Sequence, residues 1–269
     1  MSEDVPLGPL SRASAVGVLL RVARRRIATG RLAGAAELLR QAIEIEPNGM
    51  AARITLGDCL IDRRRFSEAR RVLETGYLLG RHLGDRFASA ACLNRVIALC
   101  CRRGSTAEAR QLLQQVIRAE LDTRGALSTA TLVNLSRAMR GTWSMQRRWR
   151  LLRGAMRIAK GAERAEILQA TGRLFVEGSD LDSALRAFDE ARRVAERMRA
   201  TPGRRAAVVS DQGLALVKAG RYAVAVGMLR EAAQRHEQIG NHHWAAKLAR
   251  LSRRAWRAQQ RLDEIAKRN

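Results

Sequence analysis

The chain has 269 residues, 46% apolar and 28% charged, with 21 Gly and 4 Pro, which suits a sizeable core or an extended array and excludes a disordered or collagen-like chain. Lys and Arg number 50 against 26 Asp and Glu, a net charge of +24, and only four of the cations are Lys, a balance that points to anionic partners. Cys59, Cys92, Cys100 and Cys101 lack metal or disulfide spacing, the start Met1-Ser2-Glu3-Asp4 is acidic, and no long apolar run exists, so a cytoplasmic protein with reduced thiols is expected rather than an exported or membrane-spanning one.

In chain order, residues 1–15 read as a flexible tail, and from residue 16 small and large residues return at fixed offsets in windows of about 34 residues. The first window, 16–49, has Gly30 between two apolar-periodic stretches, Leu32, Ala35, Leu39 and Ala42 in the second stretch, and Pro47 at its close. The second, 50–83, repeats the pattern as Leu56-Gly57, Leu60, Phe66, Ala69 and Leu73. The third, 90–123, carries Leu93, Val96, Cys100, Gly104, Ala109 and Leu113, and its Ser105-Thr106-Ala107-Glu108 has the spacing of a capping box. In the fourth, 127–160, Gly141 and Trp143 are in register, but Gln146 and Arg150 stand where a small residue and a large apolar one are expected. The fifth, 165–198, has Leu168, Gly172, Phe175, Leu181, Ala184, Phe188 and Ala191; the sixth, 206–239, has Gly213, Leu216, Gly220, Tyr222, Ala225, Leu229 and Ala232. Thr201-Pro202-Gly203, the sharpest breaker, marks a candidate bend between two lobes, and 240–269 reads as a basic helix that caps the last apolar face.

This Gly/Leu/Ala spacing, with Ile45-Glu46-Pro47-Asn48 at a repeat end, resembles the tetratricopeptide repeat family over 204 of the 269 residues. The resemblance implies an all-α fold, a right-handed superhelical solenoid of antiparallel helix pairs, here six pairs and a capping helix. Its concave face would be lined by the first helix of each pair and would hold a protein or peptide partner. Candidate lining residues are Arg24, Asp58, Asn94, Arg95, Arg102, Gln169, Arg173 and Lys218, with Asp211 beside them. Insertions at 84–89 and 199–205 lengthen some units in a way similar to the sensor portions of bacterial signalling regulators. The family's clamp of Lys, Asn and Arg for a peptide carboxylate does not carry over, because the corresponding positions hold Leu20 and Arg24, Ile54 and Asp58, and Asn94 and Ala98.

The charge is concentrated in two places: residues 124–164 hold ten cations against Glu163, and residues 240–269 hold eight against Asp263 and Glu264. All four Trp lie there too. At 100° per residue, Arg147, Arg150, Arg153, Arg157 and Lys160 share one half of a helix whose other half is apolar, with Arg148 intruding on the apolar side. In the last helix Arg250, Arg254, Arg257, Arg261 and Arg268 form a stripe beside Trp244, Leu248, Leu251, Ala255 and Leu262. Arg forks match phosphate oxygens and an exposed Trp256 could stack on a base, so a nucleic-acid-binding solenoid is the second reading, behind a protein-binding scaffold or regulator. A membrane surface competes poorly, because the stack must bury the same apolar faces. His242-His243 lacks companion ligands, and no phosphate loop, nucleophile elbow or acid–base frame is present. The expectation is therefore a non-catalytic protein with no metal, no cofactor and no small-molecule substrate.

Overall fold

The computed structural model describes residues 9–268, which contain thirteen helices and no strand. α1 (Pro9–Ala28) pairs with α2 (Leu32–Ile45), α3 (Met50–Asp62) with α4 (Phe66–His82), α5 (Arg86–Arg103) with α6 (Thr106–Arg124), α7 (Thr129–Ala138) with α8 (Met145–Ile158), α9 (Glu163–Glu177) with α10 (Leu181–Arg197), and α11 (Pro202–Lys218) with α12 (Tyr222–Gln238); α13 (His242–Arg268) follows alone. There are six pairs, as many as the expected windows, with α1, α5 and α11 beginning several residues before theirs. Residues 1–8 of the expected tail fall outside the described residues, and Pro9 onward belongs to α1. The chain forms two compact units, one reaching Leu99 and the other beginning at Cys100. No described helix is long and apolar enough to cross a membrane.

In three of the pairs the helices meet where a residue without a side chain faces a large one. In the first unit a Cβ added to Gly57 would lie 2.5 Å from Leu73. In the second unit the same arrangement sets Gly172 against Phe188, at 2.7 Å, and Gly213 against Leu229, at 2.9 Å. Leu73, Phe188 and Leu229 are fully buried there, and Ala69, Ala184 and Ala225 are buried one turn earlier on the same helices. Between pairs the device recurs in α4, where Gly76 leaves room for the Cys92 sulfur and Gly80 lies against the Ser89 backbone of α5. Close approach of this kind brings backbones together without voids, so each pair covers the apolar face that its neighbour leaves bare.

Turns repeat as regularly as helices. The residue that ends the first helix has positive φ in every pair: Gly30, Arg64, Gly104, Gly141, Ser179 and Gly220. In five pairs the next amide returns to a carbonyl five residues back, as from Arg31 to Arg26, Arg65 to Leu60, Ser105 to Cys100, Asp180 to Phe175 and Arg221 to Leu216. This closure satisfies a carbonyl at the helix end, and Gly adopts it without the steric cost that Arg64 and Ser179 bear.

The fourth pair departs from it, because Thr142 and Trp143 both return to Met139 and the turn runs to Ser144. That longer turn shifts the register of α8 by two residues. Leu152, buried among Val133, Ile167 and Leu174, therefore fills the large apolar position expected at Arg150, which is exposed. Two other expectations are corrected. Ser105 precedes α6 without a side-chain cap bond, its backbone being drawn into the turn closure, so the capping-box reading does not hold; Ser128, Ser144, Asp180 and Thr201 do cap their helices. Thr201-Pro202-Gly203 starts α11 instead of separating lobes, since a Pro at the first helical position lacks only an amide that would go unbonded there.

Gly172→Ala should lower the urea midpoint by an amount equivalent to about 1–3 kcal/mol, because Phe188 has no room to yield. Gly154→Ala, inside α8 with nothing within 4 Å of the added carbon, should instead stabilise by about 0.5–1 kcal/mol.

Candidate functional site

The residues expected to line the first-helix face are largely engaged with one another. Arg95 on α5 grips Asp58 on α3 through two hydrogen bonds, Nε to Oδ1 and Nη2 to Oδ2, each 2.7 Å. On α11 Asp211 accepts from Gln169 Nε2 at 2.7 Å and Arg173 Nε at 2.8 Å, both on α9. Lys218 Nζ donates to the Val176 carbonyl at 2.6 Å, again joining α11 to α9. Asn94 is buried, while Arg24 and Arg102 are exposed. Most of this set is therefore a brace between consecutive first helices. Sequence alone does not show it, because each pair of partners is about one repeat apart.

The second helices are braced in the same way. Glu68 on α4 accepts from Arg40 on α2, and Glu196 on α10 accepts from Arg235 on α12 at 2.6 Å and from Arg205 on α11 at 2.9 Å. Burial alone would raise the Glu196 carboxyl, but these two guanidinium bonds outweigh it and hold the group below its ordinary pKa. Around Glu196 opens a groove of about 740 Å³ whose walls include Arg192, Arg193, Arg197, Arg205 and Arg235. No sequence pattern marks this groove; its Arg residues come from three helices.

On α8, Arg147, Arg150, Arg153 and Arg157 are all exposed, and Lys160 lies exposed in the turn beyond the helix. Arg147 stacks over Trp143 at 3.9 Å and Arg153 over Trp149 at 4.7 Å, contacts that orient both guanidinium groups. Among the described residues none of these five cations forms an ion pair. Arg148 differs. It is buried on the apolar side, where its Nε donates to the Ser136 carbonyl and Nη1 to Glu177, each at 2.7 Å, so its intrusion into the apolar half has a partner for each nitrogen named.

On α13, Arg250, Arg254, Arg257 and Arg261 are exposed, as is Trp256, whereas Leu248 and Ala255 are buried. The side chain of Arg268 lies outside the described residues. α8 packs on α7 and α9, and α13 packs on α12, so α9 to α12 stand between the two stripes.

Three of the four thiols, those of Cys59, Cys92 and Cys100, are buried. Cys59 donates to the Leu32 carbonyl at 3.3 Å, and burial pushes its pKa up to about 12 and that of Cys92 to about 11. His242 pairs with Glu237 through Nδ1 at 2.6 Å, and the described residues contain no group of His, Cys, Asp and Glu able to hold a metal.

Residues 26–78 match the sequence model of the tetratricopeptide repeat family. No curated protein matches the chain. Among solved structures, it is similar to the Rap protein complexed with competence and sporulation factor, at 12% identity over 88% of this chain and 80% of that one, with a TM-score of 0.61. It is also similar to a chain of the APC/C hetero-tetramer Cut9–Hcn1, at 14% identity over 88% and 42%, with a TM-score of 0.58. A signal-transduction ATPase with a tetratricopeptide repeat sensor from Pyrococcus horikoshii is similar at 11% identity over 97% and 44%, with a TM-score of 0.55. The chain spans less than half the length of the latter two. At these identities the likeness is one of fold.

Asp211→Ala strands Gln169 and Arg173 and should destabilise by about 1–3 kcal/mol in chemical denaturation, whereas Arg150→Ala should stay within about 0.5 kcal/mol of the parent. Cys59 and Cys92 should resist maleimide at pH 8 until the protein unfolds. With folded-state pKa values above the ordinary thiol value, the stability they contribute is present below about pH 9 and is lost as pH rises toward 11 and 12, which a denaturation series across alkaline pH checks.

Proposed function

We propose that this helical-repeat chain of the tetratricopeptide type is a non-catalytic scaffold that holds an acidic segment of a protein partner. The carrying observation is where its cations are matched. Between first helices Arg95 has Asp58 in the first unit and Arg173 has Asp211 in the second, so these cations are already matched within the chain. On α8 the exposed Arg150, Arg153 and Arg157 have no carboxylate, although the apolar side of the same helix is committed to the core. A partner carrying Asp or Glu supplies what is missing, and Arg forks bind carboxylates through paired donors.

Two further points support the reading. A structure of similar fold is complexed with competence and sporulation factor and another belongs to the Cut9–Hcn1 hetero-tetramer, so the fold serves association in both. The buried Cys59 and Cys92, whose thiol pKa values burial raises, suit a reducing compartment such as the cytoplasm. The nucleic-acid reading, in which α8 and α13 clamp one backbone, is the competing outcome of the test below. On α8 Trp149, Leu152 and Ala155 are packed inward, which leaves only Met145 and Ile158 as exposed large apolar side chains for a membrane surface.

The test is fluorescence polarisation of labelled acidic peptides, extended and helical, beside single-stranded RNA and duplex DNA, at about 50 and 200 mM salt. A saturable peptide complex that persists at the higher salt and weakens about tenfold in the Arg150→Ser, Arg153→Ser, Arg157→Ser variant is the expected result. Tighter binding of either nucleic acid at the higher salt, or peptide binding indifferent to the variant, overturns the proposal.

A further inference from the structure

The groove between α10, α11 and α12 has features that bracing alone does not account for. Its walls carry five guanidinium groups, from Arg192, Arg193, Arg197, Arg205 and Arg235, against the carboxylates of Glu196 and Glu231. Glu196 and Glu231 are spent on Arg205 and Arg235, and Arg193 has Glu190 at 3.4 Å. Arg192 and Arg197 form no ion pair among the described residues. In addition, Arg205 Nε is buried without an acceptor, although the terminal nitrogen of the same side chain reaches Glu196. That nitrogen is closed to solvent, so the cations the groove offers to a ligand are those of Arg192 and Arg197. The space, about 740 Å³, is that of an organic ligand.

We infer that this groove binds a phosphate-bearing small anion carrying about three negative charges. The lining carries a formal charge of +3, so a ligand of equal and opposite charge neutralises it. Phosphate presents several acceptor oxygens around one centre and so can serve more than one guanidinium group at once, which a single carboxylate does less well; Arg192 and Arg197 on α10 are the two left without an ion pair. Gln234 and Gln238 add neutral amide groups for whatever the phosphate is attached to, while Pro202 and Ile239 supply the few apolar surfaces. Arg192, Arg193 and Arg197 sit on α10, Arg205 on α11 and Arg235 on α12, so occupancy ties three consecutive helices together. The site is distinct from the α8 stripe and the first-helix brace, so it goes beyond the partner-binding role and stands or falls separately from it.

Isothermal titration with pyrophosphate, and separately with adenosine diphosphate, at about 150 mM salt tests the site. One-site saturable binding is expected, with an affinity loss of about tenfold or more in Arg192→Ser, Arg197→Ser and a change under about twofold in Arg150→Ser, Arg153→Ser, which removes the same charge elsewhere. Arg192→Lys, Arg197→Lys retains the charge without the fork and should recover part of the affinity, and an unchanged urea midpoint shows that these variants fold. Equal affinities for the two probes assign the site to free pyrophosphate, and tighter binding of the diphosphate assigns it to a nucleotide. Absence of saturable binding, or equal losses in the groove and α8 variants, overturns the inference.

Discussion

Three of the six helix pairs depend on helices approaching where one side chain is missing. Gly57, Gly172 and Gly213 each receive the tip of a large residue from the second helix of the pair, and no other residue type leaves that space. The contact sets the distance between helices, and the distance decides which residues of the next pair are covered. A change of one methyl group at such a position therefore acts on stacking as well as on local packing, because each pair depends on its neighbours to bury its remaining apolar face.

Upon this apolar frame lies a second layer in which the same residue type serves opposite ends. Arg95, Arg148, Arg173, Arg205 and Arg235 face carboxylates across helix pairs, where half-buried surroundings strengthen charge-assisted bonds and hold Glu196 ionised. Arg150, Arg153, Arg157, Arg254, Arg257 and Arg261 face water. The difference between bracing and recognition is thus a matter of whether a carboxylate arrives from the adjoining unit, not of the residue itself.

The repeat was legible in the sequence because it rests on local chemistry. Gly30, Gly104 and Gly220 end first helices in a left-handed turn, and Leu39, Leu73 and Leu229 recur at fixed offsets, so both helices of a unit can be placed from spacing. In the fourth unit the longer turn displaces the pattern by two residues, so that Leu152 fills the large position while Arg148 stands at the small one, and spacing alone does not separate displacement from loss of the pattern. Ser105 illustrates another limit: the capping spacing was present, but the turn closure determined the backbone geometry and left the hydroxyl without the bond.

The candidate sites divide along the same line. That α8 and α13 are amphipathic with basic faces follows from a period of 3.6 residues, which sequence reports directly. By itself the sequence determined the all-α class, the six helix pairs, the terminal helix and the location of excess charge, since each depends on residues within one or two turns of each other. Only the tertiary structure decided that Asp58 belongs to Arg95 and Asp211 to Arg173, that the stripes lie four helices apart, and that Arg residues of α10, α11 and α12 surround one groove. Those relations join residues far apart in the chain, and they depend on how closely the helices stack, which no local pattern of residues records.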